Sequence, residues 1–260
     1  MFSPEQLTSI TNGRLVGPEA GPITGISTDS RPIKPGELFV PLQGDQFDGH
    51  DYISGLMAKR ITTSLCSEAW LQHQQPPANI SCIAVQDTLR ALGDLAAAFR
   101  KRFALTMIGV TGSNGKTTTK EMLAAILGKV DQGLKTSGNL NNLIGLPQML
   151  FQLKPEHCWA VLEMGMSEPG EIDRLAEIAC PSIGIVLNAF PAHLQSMGSV
   201  EAVAQAKGEL LQRIQDGGLA AVNVDDPRIA GLHQNPSARR ISFGIRRGEV
   251  RAENIRTIGT

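Results

Sequence analysis

The chain has 260 residues, 42% of them hydrophobic, which is enough for one large or two modest domains with a sizeable core. Its formal net charge of −1 provides no bulk attraction to nucleic acid or to an anionic membrane. The first residues, MFSPEQLTSITNG, lack the basic start and apolar core of a signal peptide, and no apolar run is long enough to span a bilayer. We therefore expect a cytoplasmic protein that neither binds nucleic acid nor inserts into a membrane.

The first part of the chain has the pattern of a small α/β domain. Its predicted elements are, in chain order, a helix from Ser3 or Pro4, a strand over 38–42, a helix near 52–60, and strands over 62–66 and 80–85. Asp87 or Thr88 can cap a following helix that runs through Arg102. We place the domain boundary before this helix, so the expected domains are residues 1–86 and 87–260.

The second part alternates strands with helices. Strands are predicted over 105–110, 158–163, 183–188, 219–224 and 240–243, and helices over 116–128, 145–152, 170–179 and 200–214. Repeated βα units imply a parallel sheet with both faces covered by helices. Ligands of such sheets bind at the carboxyl ends of the strands, so residues that follow the strands are the candidate site residues.

The segment LTMIGVTGSNGKTTTKEM (105–122) reads as a strand, a glycine-rich turn and the start of a helix. Loop amides and a helix N-terminus together attract an anion, and Gly112 and Gly115 let the backbone turn and approach it. Lys116 can reach terminal phosphates, and the Thr117 hydroxyl can hold Mg²⁺. The alternative is an ordinary glycine turn before a core helix. We predict a nucleotide-phosphate site formed by Gly112, Ser113, Asn114, Gly115, Lys116, Thr117 and Thr118.

Two further candidates follow strands at the same predicted sheet edge. Glu163 ends the strand over 158–163, and a carboxylate there is a suitable hard ligand for Mg²⁺, although it could be an exposed strand-end charge. His193 follows the strand over 183–188, where a ligand or orienting role is plausible, although a lone loop histidine is more often a surface residue.

Lys207 lies in the middle of the apolar stripe of the helix over 200–214. A lysine on a buried face needs a partner or a chemical change, unless it extends its ammonium to solvent. We favour the functional interpretation. The segment NLNNLIG (139–145) is rich in amides, and Asn141 and Asn142 can bind a polar substrate, although turn and capping chemistry explains one or two of them.

These motifs resemble those of the Mur ligase family. GSNGKTT (112–118) resembles the ATP loop of the Mur ligases and their folylpolyglutamate synthase relatives. STDSR (27–31) with PGELFV (35–40) resembles the UDP-sugar domain of the family. The motifs typical of the branch that adds D-Ala-D-Ala are GNLNN (138–142), EMG (163–165), PGEI (169–172) and AKGE (206–209). The resemblance covers essentially the whole chain.

The resemblance implies ATP-dependent amide formation with ATP and Mg²⁺ as cofactors. ATP phosphorylates the carboxylate of UDP-MurNAc-tripeptide, and the amine of D-Ala-D-Ala attacks the acyl phosphate. The implied catalytic residues are Lys116, His193 and Lys207. By the same resemblance, Lys116 binds the phosphates, and Thr117 and Glu163 hold one Mg²⁺. His193 and a carbamylated Lys207 hold a second Mg²⁺. The residues implied to bind the UDP-sugar are Asp29, Ser30 and Arg31.

Family members continue into a third, Rossmann-like domain, whereas this chain stops at Thr260. The chain is therefore expected to be a ligase fragment or a protein without that domain, and to be weakly active or inactive alone. We also expect it to be monomeric. Two alternatives stay open. One is a nucleotide- or UDP-sugar-binding module without turnover, and the other is a MurE-type or folylpolyglutamate-type ligase, against which GNLNN (138–142) argues. The third residue of the substrate peptide, lysine or diaminopimelate, also stays open.

Overall fold

The computed structural model describes residues 1–191 and 194–256. The chain divides into two compact units, Met1–Phe99 and Arg100–Thr260. The division lies at the end of the helix that was expected to begin the second domain. Phe99, near the end of this helix, packs edge-on against Phe2, with 6.3 Å between the ring centroids. The helix therefore contributes to the core of the first unit.

The first unit is a mixed α/β structure. Its elements are α1 (Pro4–Thr11), β1 (Arg14–Val16), β2 (Gly25–Ser27), β3 (Glu37–Phe39), a 3-10 helix (Gly49–Lys59), β4 (Thr63–Ser67), α2 (Glu68–Leu71), β5 (Ser81–Val85) and α3 (Thr88–Arg100). Within residues 1–99, all of which the structure describes, five strands form one sheet in the order β1-β5-β4-β3-β2. Only the β1–β5 pair in this range is antiparallel.

Local sequence explains where the first helices begin. Ser3 caps α1 and forms a capping box with Gln6, and Pro4 occupies the first turn, where its missing N–H is harmless. The segment predicted as a helix near 52–60 is a 3-10 helix instead, and it begins earlier because the Asp48 side chain accepts a hydrogen bond from the backbone N–H of His50.

The second unit is a parallel sheet with helices on both faces, as the alternating pattern predicts. Its elements are β6 (Thr106–Thr111), α4 (Lys116–Leu127), β7 (Gly133–Lys135), α5 (Gly145–Leu150), β8 (Trp159–Glu163), α6 (Glu171–Ala179), β9 (Ile183–Val186), α7 (Leu194–Met197), α8 (Val200–Gln212), β10 (Leu219–Asn223), α9 (Pro227–Ala230), β11 (Arg239–Gly244) and β12 (Val250–Arg251). In the described part of this unit, seven strands pair in the order β12-β11-β10-β9-β6-β8-β7, and every pair is parallel.

Alternate residues of β6 face different helices. Ile108 and Val110 pack in a cluster with Ala124 of α4. Gly109 faces α8, and a Cβ atom at Gly109 would lie 2.9 Å from Leu210 Cδ1, so α8 approaches the sheet closely. After β6 the chain forms β7 and β8 on one side of β6 and then crosses to β9 on the other side, which makes the carboxyl end of β6 a topological switch point.

In the described ranges, none of the helices combines the length and the apolar character needed to traverse a bilayer.

Candidate functional site

The glycine-rich loop between β6 and α4 has the geometry of an anion cradle. Gly115 is the N-cap residue of α4 and has φ +84°, a left-handed conformation that favours glycine. A Cβ atom at Gly112 would lie 2.9 Å from the Cβ of Leu187, so the loop passes very close to the segment after β9. Lys116 Nζ donates to the Gly112 carbonyl at 2.8 Å. The loop thus brings the lysine to the N-terminal end of α4, where the helix dipole favours an anion.

The segment after β9 holds this loop through Asn188. The Asn188 carbonyl accepts from the Ser113 N–H at 3.1 Å. Its side chain accepts from the Asn114 N–H at 3.0 Å and donates to the Asn114 carbonyl at 3.1 Å. The Phe190 N–H adds a bond to Ser113 Oγ at 2.9 Å. Sequence reasoning gave Asn188 no role, although its position directly after a strand of the switch-point sheet was a usable signal.

Glu163 ends β8 beside the start of α4, as predicted. Its side chain is buried, and the Thr117 hydroxyl donates to Glu163 Oε2 at 3.3 Å. The Glu163 N–H donates to Thr136 Oγ1 at 2.9 Å, which fixes the backbone at the end of the strand. The Lys120 ammonium lies 3.4 Å from Glu163 Oε1. Sequence reasoning missed Lys120, although its spacing of four residues from Ala124 places it on the buried face of α4.

The residues around Glu163 fit a hard divalent cation. Glu163 Oε1 is buried and accepts no hydrogen bond from any residue that the structure describes. A carboxylate and a hydroxyl oxygen are ligands that Mg²⁺ prefers. The described residues contain no cluster of three or more His, Cys, Asp or Glu that could hold a metal ion. A cation at this position therefore needs further ligands from a bound molecule or from water. His193, the predicted second-metal ligand, lies outside the described residues.

A cavity of about 330 Å³ opens beside the glycine-rich loop. Its lining residues are Gly112, Ser113, Lys116, Asn141, Asn142, Gly165, Met166, Ser167, Glu171 and Lys207. The structure thus brings together residues of the predicted phosphate loop, the amide-rich loop and the lysine of α8.

Lys207 is buried, as its place in the apolar stripe predicts, with a relative exposure of 4%. Burial and then the nearby charge of Lys116 lower the pKa of Lys207 to about 8. Burial also lowers the pKa of Lys116, and the carboxylate of Glu163 opposes that shift. No carboxylate of the described residues forms an ion pair with Lys207. At pH 7 Lys207 is therefore still mainly protonated, but a larger fraction of it is neutral amine than in an ordinary lysine.

The two asparagine side chains of the amide-rich loop, Asn141 and Asn142, differ in their contacts. The Asn142 side chain accepts from the N–H groups of Ile144 at 3.1 Å and Gly145 at 2.8 Å, which caps the start of α5. The Asn141 carbonyl accepts from the Gly165 N–H at 2.8 Å, and its side chain lies over Gly165 in the cavity wall. Capping thus accounts for Asn142, and the Asn141 amide is the better placed of the two for a substrate.

Glu209 connects two of the sequence motifs. It lies on α8, and its carboxylate accepts from the N–H groups of Gly170 at 3.0 Å and Asp173 at 2.9 Å at the start of α6. A carboxylate at a helix N-terminus is stabilising, so this residue of the AKGE segment has a structural explanation.

In the first unit, the predicted UDP-sugar residues form a partly exposed turn after β2. Arg31 and Asp29 form an ion pair with a shortest distance of 2.7 Å. Hydrogen bonds from Arg31 lower the pKa of Asp29 to about 2. Lys59 Nζ donates to the carbonyls of Ser30 at 2.6 Å and Arg31 at 2.8 Å. The ion pair within the turn and the hydrogen bonds from Lys59 therefore hold its conformation.

His50 of the same unit is structural. Its ring is buried, its Nδ1 pairs with Asp48, and its Nε2 accepts from the Ser67 N–H at 3.0 Å. The ring also stacks on Trp70, with 5.6 Å between centroids. These contacts hold the end of β4 against the 3-10 helix.

Two family models match the chain. The Mur ligase middle domain matches residues 110–258, and the catalytic domain of the Mur ligase family matches residues 22–100. The UDP-N-acetylmuramoyl-tripeptide–D-alanyl-D-alanine ligase of Bacillus subtilis is 39% identical over 88% of this chain and 50% of its own length. The chain thus spans about half the length of the curated relatives that it matches.

Two solved structures with a similar fold are those of MurF proteins from two organisms. Crystal structure I of MurF from Acinetobacter baumannii has a TM-score of 0.89 and 36% identity, covering 98% of this chain and 56% of its own. MurF ligase from Thermotoga maritima in complex with ADP has a TM-score of 0.77 and 31% identity, covering 86% of this chain and 51% of its own.

Proposed function

Since the chain belongs to the Mur ligase family, we propose that its second unit binds ATP and Mg²⁺ for a ligation that adds D-Ala-D-Ala to UDP-MurNAc-tripeptide. Such a reaction belongs to the synthesis of peptidoglycan precursors. The observation that carries the proposal is the meeting of Lys116, Thr117 and Glu163 at the switch point of a parallel sheet. The names of the relatives and the ADP complex of the Thermotoga protein support the choice of substrates and nucleotide. A cytoplasmic location and a monomeric state stay predictions.

Each residue of the loop has a chemical role in this proposal. The amides at the start of α4 and the ammonium of Lys116 bind the phosphates and neutralise their charge. The Thr117 hydroxyl and the Glu163 carboxylate hold Mg²⁺, which when bound screens the charge of the transferred phosphoryl group. Asn188 keeps the loop in place, so that little ordering is needed when the nucleotide binds. The carboxylate of the peptide substrate then attacks the γ-phosphorus, the bond to the β–γ bridging oxygen breaks, and an acyl phosphate and ADP form.

Lys207 takes part through a carbamate in this proposal. A pKa of about 8 leaves more neutral amine at pH 7 than an ordinary lysine has, and neutral amine is the form that attacks CO₂. The ammonium first loses one proton, and the neutral nitrogen then forms a bond to the carbon of CO₂ and loses a second proton, so that a cation becomes an anionic oxygen ligand. With His193, it would serve a second Mg²⁺.

The remaining substrate contacts are proposed from position. Asn141 and Asn142 line the same cavity as Lys116 and are proposed to bind the peptide part of the substrate. The turn of Asp29 to Arg31 is proposed to bind the UDP-sugar, because its exposed charges and backbone groups are already held in one conformation.

Calorimetric titration with ATP and Mg²⁺ tests the proposal. We expect Lys116→Ala to weaken ATP binding at least about tenfold without a change in the circular dichroism spectrum, because one ionic hydrogen bond contributes about 1.5 to 3 kcal/mol. Lys129→Ala, at an exposed lysine after α4, is the matched control and should bind like the unchanged chain. Equal ATP affinity of the Lys116 variant would refute nucleotide binding by this loop.

A second titration, with UDP-MurNAc-tripeptide, and a phosphate-release assay with D-Ala-D-Ala separate binding from turnover. Binding with D-Ala-D-Ala-dependent phosphate release supports the ligase. Binding without release supports a nucleotide and UDP-sugar module instead.

A further inference from the structure

Lys120 is a buried cation next to the proposed metal ligand. Its relative exposure is 3%, and its ammonium donates to the Thr136 carbonyl at 2.8 Å. It lies 3.0 Å from Glu121 Oε1 and 3.4 Å from Glu163 Oε1. A buried lysine is expensive unless it is paired, so this ammonium needs the two carboxylates.

Lys120 and Glu163 are also tied together through Thr136. The Thr136 hydroxyl accepts from the N–H of Glu163, and its carbonyl accepts from Lys120. The lysine therefore stands beside Oε1, while Oε2 is left facing Thr117. The Lys120 ammonium cannot move away without breaking its buried hydrogen bond to Thr136, and the same residue fixes the backbone of Glu163.

This arrangement gives the Glu163 carboxylate a positive partner before any metal arrives. A divalent cation that binds Glu163 must then approach the Lys120 ammonium, and like charges repel more strongly in a buried site than in water. Negative charge from elsewhere is needed to hold such a cation, and nucleotide phosphates provide it.

We propose that Lys120 is a positioning residue that neutralises and orients Glu163, so that this site holds a divalent cation tightly only together with nucleotide phosphates. The inference rests on the proposed function, because it assumes that Thr117 and Glu163 are metal ligands. It adds a residue that makes metal binding conditional on the nucleotide.

The test measures Mn²⁺ binding by electron paramagnetic resonance at one fixed pH, first without nucleotide and then with ADP. Lys120→Gln removes the charge but keeps a donor for the Thr136 carbonyl. We expect nucleotide-free Lys120→Gln to bind Mn²⁺ about tenfold more tightly than the unchanged chain, because the nearest repelling charge is gone. Lys135→Gln is the matched control, since Lys135 also pairs with Glu121 but is half exposed. It should leave nucleotide-free Mn²⁺ binding unchanged.

Equal or weaker Mn²⁺ binding by folded Lys120→Gln without nucleotide overturns the inference. Lys120→Met provides the same comparison if the glutamine variant does not fold. The ADP measurements test the proposed function separately. If the unchanged chain with ADP does not bind Mn²⁺, or if Glu163→Gln binds it equally well, the proposed metal site fails. If those measurements behave as proposed and only the Lys120 variants show no effect, the inference alone fails.

Discussion

Lys207 shows how burial of one group couples stability to reactivity. Its pKa is about 8 in the folded chain against an ordinary 10.5, so the unfolded chain binds more protons between these values. Stability therefore rises with pH across that window, and the full penalty is present below about pH 8. We predict that Lys207→Met raises the free energy of unfolding by about 3 kcal/mol at pH 7, because the pKa is lowered by about 2.5 and each pKa unit corresponds to about 1.4 kcal/mol.

Urea unfolding at pH 7 and pH 10.5 in CO₂-free buffer without nucleotide measures this difference. The gain should be much smaller at pH 10.5, where the lysine is neutral in the folded chain and about half neutral in the unfolded chain. A gain of equal size at both pH values would mean that methionine merely packs better than lysine.

The same residue predicts a spectroscopic signal. We expect ¹³C NMR of the chain in ¹³C-labelled bicarbonate to show a carbamate resonance in the presence of ADP and Mg²⁺. Lys207→Met should lack the resonance, and Lys120 should not replace it, because its ammonium is already paired with Glu163 and Glu121. A resonance that persists in Lys207→Met assigns the carbamate to another amine.

Single residues were predictable from sequence where position alone decides their surroundings. Glu163 follows from its place at a strand end, and burial of Lys207 follows from helical spacing. Lys120 was missed because it follows a run of polar residues, and its burial depends on the packing of α4 against the sheet. The structural role of His50 was not predictable, because its contacts with Asp48 and Ser67 form only after folding.

Asn188 acts at the scale of whole elements, because it joins the loop after β9 to the loop before α4. Its side chain makes two hydrogen bonds to Asn114, each contributing about 1 kcal/mol. We predict that Asn188→Ala weakens ADP binding about tenfold, since the loop must then be ordered by the nucleotide itself. Calorimetry measures the effect. Asn235→Ala removes a similar bridge away from this loop and should not change ADP affinity.

Glu209 also joins two elements, but its predicted effect is on stability. Glu209→Ala leaves the N–H groups of Gly170 and Asp173 without their acceptor, and loss of such a cap costs about 1 kcal/mol. We expect a lower thermal midpoint with unchanged ADP affinity. A loss of ADP affinity without a loss of stability would instead indicate that Glu209 has a role in the site.

Long elements were predicted from their periodicity, and most of the short ones were missed. The strands β6 and β8 and the helices α4 and α8 lie within a few residues of their predicted bounds. The strands β1, β2 and β7 were missed, because three residues are too few to show alternation. At β7, a Cβ atom on Gly133 would lie 2.1 Å from the ring of Trp159, a close approach that the sequence does not reveal.

At the scale of the whole chain, a small α/β domain and a parallel-sheet domain were expected from two different patterns. The parallel sheet of the second unit follows from repeated βα units, and the family match over residues 110–258 agrees with it. The boundary did not follow from the pattern, because the cap at residue 87 marks where a helix begins and not which unit it packs on. Phe99 packs on Phe2, at the other end of the first unit's sequence.

The packing of α3 on the first unit determines how far this unit can be shortened without unfolding. α3 buries Leu92, Leu95 and Phe99, so a segment that ends at residue 86 loses this apolar surface and leaves Phe2 without its aromatic partner. Small domains have little stability to spare, so the loss should be large. We predict that residues 1–99 unfold cooperatively on heating, whereas residues 1–86 unfold at a clearly lower temperature or do not fold. Circular dichroism melts of the two segments measure this, with Phe99→Leu in the longer one as an intermediate case. Equal melting temperatures for the two segments would show that α3 adds nothing to the first unit.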